Sequence, residues 1–214
     1  MKKKLSIVLA VILPVILILT CVTSTVYGLW WPGGVIEDFE WGGDETSLHG
    51  RGVGWTVVSA GGSSVAEIDT EYKHSPKRSA RIYRDGSHNV YACFPLSEPY
   101  YIRFYVMKTD TSYADFRIGN GDYKIWARIN SAGVLQYYYQ SWHDVCSLSA
   151  DKWYKIAFKN IDWDDGTYDI YVQGDREVEG AQMRLGAGFS GKLYFENLSP
   201  SSGSFWIDDI LCYF

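Results

Sequence analysis

From residue 29 onward the apolar positions of this chain recur at every second residue, in short runs separated by clusters of Gly, Asn, Asp, Ser and Pro. Period two places alternate side chains on opposite faces of an extended strand, so this pattern predicts strands with one buried face. No window holds an apolar 3.6-residue period long enough for a helix. The predicted strands are Val35 to Trp41, Trp55 to Val58, Ala66 to Asp69, Ser79 to Tyr83, Val90 to Phe94, Tyr100 to Lys108, Asp115 to Ile118, Tyr123 to Asn130, Val134 to Trp142, Trp153 to Asn160, Thr167 to Gln173, Met183 to Gly188, Lys192 to Leu198 and Ser204 to Leu211. Between them, Gly119-Asn120-Gly121-Asp122, Ser131-Ala132-Gly133, Asp164-Asp165-Gly166 and Ser199-Pro200-Ser201-Ser202-Gly203 supply residues that accept positive φ or pre-set a turn. Many short strands joined by such turns predict an all-β fold, a two-sheet antiparallel β-sandwich.

The alternation also assigns faces. Ile102, Phe104 and Val106 share one side of their strand, leaving Tyr101, Arg103, Tyr105 and Met107 on the other. Phe116 and Ile118 oppose Arg117. Tyr123, Ile125, Ala127 and Ile129 form an apolar side against Lys124, Trp126, Arg128 and Asn130. Tyr154, Ile156 and Phe158 oppose Lys155 and Lys159, and Tyr168, Ile170 and Val172 oppose Asp169, Tyr171 and Gln173. With Leu135 placed inward, Gln136, Tyr138 and Trp142 point out. The predicted non-core faces are therefore aromatic and basic.

Charge changes this picture in one respect. The 214 residues carry 20 Lys plus Arg against 25 Asp plus Glu, but Lys2, Lys3 and Lys4 stand at the extreme N-terminus. Without them the body holds 17 basic groups against 25 acidic ones, a net −8. An acidic body argues against a nucleic-acid partner, because affinity for a phosphate backbone rests on clustered Lys and Arg. The three lysines precede an apolar stretch from Leu5 to Val22, then small and polar residues up to Gly28, the layout of a secretory signal peptide cleaved after Gly28. Eighteen apolar-dominated residues also approach the length that spans a bilayer, so an uncleaved signal anchor is the alternative. Lipidation at Cys21 is disfavoured by Thr20 before it. Either way residues 1-28 are a leader and residues 29-214 an exported single domain, secreted or tethered, whose contact with a membrane is limited to the N-terminal segment.

Three cysteines remain in the body, Cys93, Cys146 and Cys212. In an oxidising compartment the expectation is one disulfide and one leftover thiol, with three buried apolar thiols as the alternative. Asn197-Leu198-Ser199 matches the N-glycosylation pattern, weakened by Pro200 after it.

Three stretches carry a resemblance. Trp153-Tyr154-Lys155-Ile156 followed by Tyr168-Asp169-Ile170-Tyr171-Val172-Gln173-Gly174 resembles a hairpin of the concanavalin A-like and laminin G-like jelly rolls, with Gln173 where Asp is usual. Gly203-Ser204-Phe205-Trp206-Ile207-Asp208-Asp209-Ile210 resembles the closing strand of jelly-roll carbohydrate-binding modules, and Ile36-Glu37-Asp38-Phe39-Glu40 with Trp55 resembles their opening. Residues 60 to 117 match no subfamily. The resemblance implies a jelly-roll topology, pairing of first and last strands, and an approach of Glu40 to Asp208 or Asp209. In such modules the matching acidic positions help to hold a structural Ca²⁺, which takes several oxygen ligands. The other reading of Asp208 and Asp209 is that they end the strand and face solvent.

Sugar rings present apolar C–H patches rimmed by hydroxyls, which suits flat aromatic rings next to polar groups. Tyr105, Trp126, Tyr138, Trp142 and Tyr171, interleaved with Arg103, Arg117, Arg128 and Gln136, offer that combination. The arginines can also grip a carboxylate or sulfate. The candidate partner is a polysaccharide or glycoconjugate, with an anionic glycan the better match. For any single aromatic, a place in a second core layer is the competing reading. Catalysis has less support, since no strand carries the paired carboxylates of a retaining glycosidase. Arg103, Arg128, Gln136, Tyr138 and His143 fit the parts needed by a polysaccharide lyase, but the lyases' signature strings are absent. A structural surface or appendage subunit that binds only protein is the third reading. His49, His74 and His88 show no metal spacing.

Overall fold

A computed structural model describes residues 34–109, 112–120, 122–184, 191–198 and 201–214. The predicted leader, residues 1-28, lies outside these residues. The described residues form fifteen strands and no helix: β1 (Gly34–Glu37), β2 (Thr56–Ser59), β3 (Val65–Asp69), β4 (Ser79–Asp85), β5 (Val90–Leu96), β6 (Tyr101–Lys108), β7 (Ala114–Asn120), β8 (Asp122–Ile129), β9 (Val134–Tyr139), β10 (Ser141–Ser147), β11 (Tyr154–Asp162), β12 (Thr167–Val172), β13 (Asp175–Gln182), β14 (Gly191–Asn197) and β15 (Ser202–Tyr213).

Two antiparallel sheets result. The first runs β13-β12-β11-β6-β15-β4-β3, with β1 also on β15, and the second runs β10-β9-β8-β7-β14-β5-β2. Consecutive strands β4 and β5, and again β6 and β7, pass from the first sheet to the second. The chain thereby closes a core between the two inner faces. Phe104 of β6 meets Phe116 and Phe195 of the second sheet at ring separations of 4.8 and 5.1 Å. Trp55 packs edge-on against Phe94 at 4.8 Å, and all of these rings are fully buried. The predicted inward set, from Ile102 through Ile118, Ala127, Leu135, Phe158 and Ile170 to Val172, lies in this core.

The first and last strands pair as the resemblance implied, Gly34–Glu37 against Ile210–Tyr213. β15 is long enough to take β4 along Ser202–Ile207 and β1 along Ile210–Tyr213 on the same side, with a bulge at Asp208 and Asp209 where one partner gives way to the next. Phe205 and Ile207 point inward before the bulge and Ile210 and Cys212 after it, so the extra residue changes the parity of the strand. At the end of β1, Glu37 anchors the following loop. Its buried carboxylate accepts the backbone N–H of Phe39 and Val53 and the indole N–H of Trp41 and Trp55.

Several sequence expectations are corrected. Val134 to Trp142 is two strands, because Gln140 adopts a φ of 58° and the chain folds back as a tight hairpin. Met183 and Arg184 are not in a strand, and residues 185–188 of that predicted run lie outside the described residues. The strand is instead β13, whose Asp175-Arg176-Glu177-Val178-Glu179 sequence hides from an apolar period because it is a charged sheet edge. Tyr123, expected inward, is turned outward by a bulge opposite Gly119. Cys93, Cys146 and Cys212 are free thiols on β5, β10 and β15, so no disulfide joins them. The Asn197 side chain is buried and donates to the Gly203 carbonyl, which removes it as a glycan acceptor.

Candidate functional site

The strand registers lay two rows of side chains across the outer face of the second sheet. In the first row Tyr91, Glu196, Asp115, Arg128, Gln136 and Asp144 stand directly opposite one another, from β5 through β14, β7, β8 and β9 to β10. The second row holds Cys93, Tyr194, Arg117 and Trp126, and continues with the pair Tyr138 and Trp142 on the terminal hairpin.

Aromatic rings and guanidinium groups interleave over these rows. Trp126, Tyr138 and Trp142 form a mutually contacting trio with ring separations of 4.9 to 5.3 Å, and each ring stays partly open to solvent. The Arg128 guanidinium lies 3.7 Å from the Trp142 ring centre and 5.0 Å from that of Tyr113, while its Nε–H donates to Gln136 Oε1 at 3.0 Å. Gln136 passes the chain on by donating to Asp144 Oδ1 at 2.6 Å. Arg184, at the end of the segment after β13, sits 5.5 Å over Trp126 and 5.7 Å over Tyr138. Among the described residues neither Arg128 nor Arg184 has a carboxylate within ion-pair distance.

Arg117 is different. It is buried between the rings of Tyr123 and Trp126, at 4.5 and 4.4 Å, and its Nη1 lies 2.8 Å from Glu196 Oε2. That ion pair is bent, so Oε2 lacks a well-aligned donor, and Arg117 Nε and Asp115 Oδ2 lack partners as well. The Trp126 indole N–H donates to Asp115 Oδ1 at 2.9 Å. Burial pushes the Glu196 carboxyl up to about 7 against the pull of Arg117, and burial likewise raises Asp115.

Six of the predicted contact residues, Arg117, Trp126, Arg128, Gln136, Tyr138 and Trp142, thus share one face. Arg103, Tyr105 and Tyr171 do not. They belong to β6 and β12 of the first sheet, on the opposite outer surface, because the crossing from β6 to β7 changes sheets. There Tyr105 is covered by His74, stacked at 3.5 Å, and Tyr171 by Lys159, whose ammonium lies 3.9 Å from its ring centre. His143, cast as a lyase proton carrier, stacks on Tyr137 at 5.0 Å on the other side of the β9–β10 hairpin from Gln136 and Tyr138. Sequence reasoning missed Asp115, Glu196, Tyr113 and Arg184. The first two were within reach, since Phe116 and Phe195 inward place Asp115 and Glu196 outward. Arg184 lies outside any strand and carried no periodic signal.

The implied calcium position lies at the β15 bulge. Glu40 and Asp208 are brought together there on either side of Ser75 Oγ, which lies 3.2 and 3.1 Å from them and donates its single proton to one acceptor at a time. Asp208 Oδ2 also accepts the backbone N–H of His74 and Ser75, and Oδ1 accepts that of Asp209. Glu40 Oε1 accepts the N–H of Lys77 and Arg78, and His74 Nδ1 lies 2.8 Å from Asp209 Oδ2. Calcium takes six to eight oxygen ligands. Here hydrogen-bond donors fill most of the carboxylate lone pairs and the Arg78 guanidinium bonds the Glu40 carbonyl, a donor set that does not fit the ion. His74, Asp208 and Asp209 are close enough to share a metal, a grouping their sequence spacing hid.

The two-sheet topology and the closing of β15 on β1 form a jelly-roll β-sandwich, consistent with a concanavalin A-like fold. No family model and no curated protein matches the sequence. Among solved structures, the chain is similar to a sialidase (TM-score 0.60, 7% identity), covering 73% of this chain but 16% of that one. It is similar over nearly whole lengths to a cellulose-induced protein, Cip1 (TM-score 0.59, 15% identity, 82% of this chain and 95% of that), and to an endo-β-1,4-glucuronan lyase from the fungus Trichoderma reesei (TM-score 0.54, 11% identity, 79% and 93%). At such identities the likeness establishes the fold.

Proposed function

We propose that this protein is an exported carbohydrate-binding module that takes an anionic polysaccharide on the outer face of β7 to β10. The observation that carries the reading is the meeting of three part-open aromatic rings, Trp126, Tyr138 and Trp142, with two guanidinium groups, Arg128 and Arg184, that have no carboxylate within ion-pair distance among the described residues. The rings offer flat surface for pyranose C–H faces, and the arginines offer paired donors for a carboxylate or sulfate. Arg117 is held by Glu196 and supports the face from below. The fold neighbours are in keeping with this reading, since a glucuronan lyase and, at a TM-score of 0.53, a carbohydrate esterase act on carbohydrate by their names. Export is supported by the Lys2-Lys3-Lys4 and Leu5 to Val22 pattern.

A glycan array that includes uronate and sulfated polymers tests the proposal, with wild type and Trp126→Ala side by side. Binding to a defined anionic set, weakened by the substitution, is the expected result. No retention of wild type across the array overturns it and leaves the protein-only scaffold. The lyase reading is favoured by one feature, the nearness of Arg128, Gln136 and Tyr138. It predicts unsaturated products absorbing in the ultraviolet when the protein meets alginate, pectate or glycosaminoglycans, and a flat absorbance trace removes it.

A further inference from the structure

We propose that Asp115 and Glu196 are positioning residues for Trp126 and Arg117, acting as one proton-exchanging carboxyl pair, so that the face takes an anionic polysaccharide more tightly in mild acid than in mild alkali. The ligand rests on the binding reading above; the pair itself does not.

The registers place Glu196 of β14 directly opposite Asp115 of β7. Side chains in that relation have Cβ atoms about 5 Å apart, and like charges there repel. Both residues are buried, at 7% and 1% exposure, with Arg117 bonded to one and Trp126 to the other. Two ionised carboxylates would share the single charge of Arg117, since Arg128, though opposite Asp115, turns its guanidinium to Gln136 and Trp142, and both would be held out of contact with water. Holding one proton between them removes one of these charges, and the poorly aligned Glu196 Oε2 and unpartnered Asp115 Oδ2 are places where that proton can sit.

The groups that face Glu196 are Tyr91 and Cys93 from β5, Lys192 and Tyr194 on β14, Asp115 and Arg117 from β7, and Tyr123 and Arg128 from β8. Burial raises Tyr91, Cys93 and Tyr194, so these stay uncharged at neutral pH, and burial sets Glu196 itself at about 7. The exchange near neutrality therefore belongs to the carboxyl pair. Uptake of a proton releases Arg117 from neutralisation, and the face formed by Arg117, Arg128 and Arg184 becomes more positive by one unit. Beside the ring contacts, the ion pair and the indole bond help to orient Arg117 and Trp126, so the same proton alters both ring and cation.

The test has two arms. In ¹H–¹⁵N spectra of the protein, the Trp126 indole N–H, assigned with Trp126→Phe, is expected to titrate with a midpoint near 7 and to lose that step in Glu196→Gln. An indole resonance that does not move between pH 5.5 and 8 overturns the pair, whether or not any glycan binds, and this titration is read on the wild-type protein. In the second arm, affinity for polygalacturonate is expected to be about three- to tenfold tighter at pH 5.5 than at pH 8, with the difference largely absent in Glu196→Gln. Equal or weaker affinity in acid overturns the inference. A titrating indole with no binding at either pH overturns its ligand half together with the binding reading, while the pair stands.

Discussion

Trp126 and Asp115 are joined across neighbouring strands. The indole N–H donates to Oδ1 at 2.9 Å, so the central ring of the aromatic trio is fixed from beneath by a buried carboxyl group. Its stacking surface is thereby preorganised, and the loss of ring and the loss of orientation are separable. Trp126→Ala is expected to weaken polygalacturonate binding about tenfold or more, and Trp126→Phe about threefold, because the latter keeps a flat ring but not the bond. Titration calorimetry reads both; equal affinity for all three proteins counts against the face.

The two sheets make opposite predictions for their arginines. Arg128→Ala and Arg184→Ala should each weaken binding of an anionic polymer about five- to tenfold and flatten its salt dependence. Arg103→Ala, on the far surface, should leave both unchanged. A reversal of this order, measured by affinity electrophoresis across a salt series, would move the site to the first sheet.

Stability should fall as the solution is made alkaline. Glu196 has its folded value raised above the unfolded one, to about 7, by burial, and Asp208 is raised to about 6 by burial despite the Ser75 bonds. A carboxyl raised in this way binds its proton more firmly in the folded state. Folding is therefore favoured below about pH 4.5, loses ground as pH rises through 6 to 7, and levels off above. For Glu196 alone the change amounts to at most about 3 kcal/mol. Urea midpoints should drop between pH 5 and 8, and Glu196→Gln should reduce that slope. A midpoint that climbs over this range would contradict the burial of the pair.

Glu37 receives four donors from two separate segments of the chain, at 2.8 to 3.1 Å. Glu37→Ala strands two indole and two backbone N–H groups and is expected to cost about 3 kcal/mol or more in urea unfolding. Glu37→Gln keeps an acceptor oxygen and should cost less. Equal losses would mean that packing of Trp41 and Trp55, and not their hydrogen bonds, sets the stability.

At the β15 bulge, Ser75 Oγ joins Glu40 to Asp208, and Ser75→Ala should destabilise the fold by about 1 to 2 kcal/mol. With the carboxylates already occupied by donors, thermal melts in calcium and in chelator should coincide. A melting point raised by calcium would show that His74 and Ser75 yield their bonds to the ion.

The period-two pattern determined a great deal. It set the fold class, the strand-rich course of the body and the inward residues from Ile102 to Val172, because burial of one strand face is a local property written at every second position. It failed where the local pattern is not what decides. The tip at Gln140 and the bulges at Gly119 and Asp209 shift parity by one residue, and β13 is a charged edge with almost no apolar face to display. Sheet membership was the larger gap. Arg103 and Arg117 read alike as outward arginines on successive strands, yet the crossover between β6 and β7 sends them to opposite surfaces of the sandwich. The same long-range pairing brings Glu196 of β14 against Asp115 of β7, and His74 against Asp209. These contacts join residues 81 and 135 positions apart, a distance over which no sequence period operates. The sequence by itself determined which side chains leave the core; only the tertiary structure decided which of them meet, because that depends on strand order in each sheet.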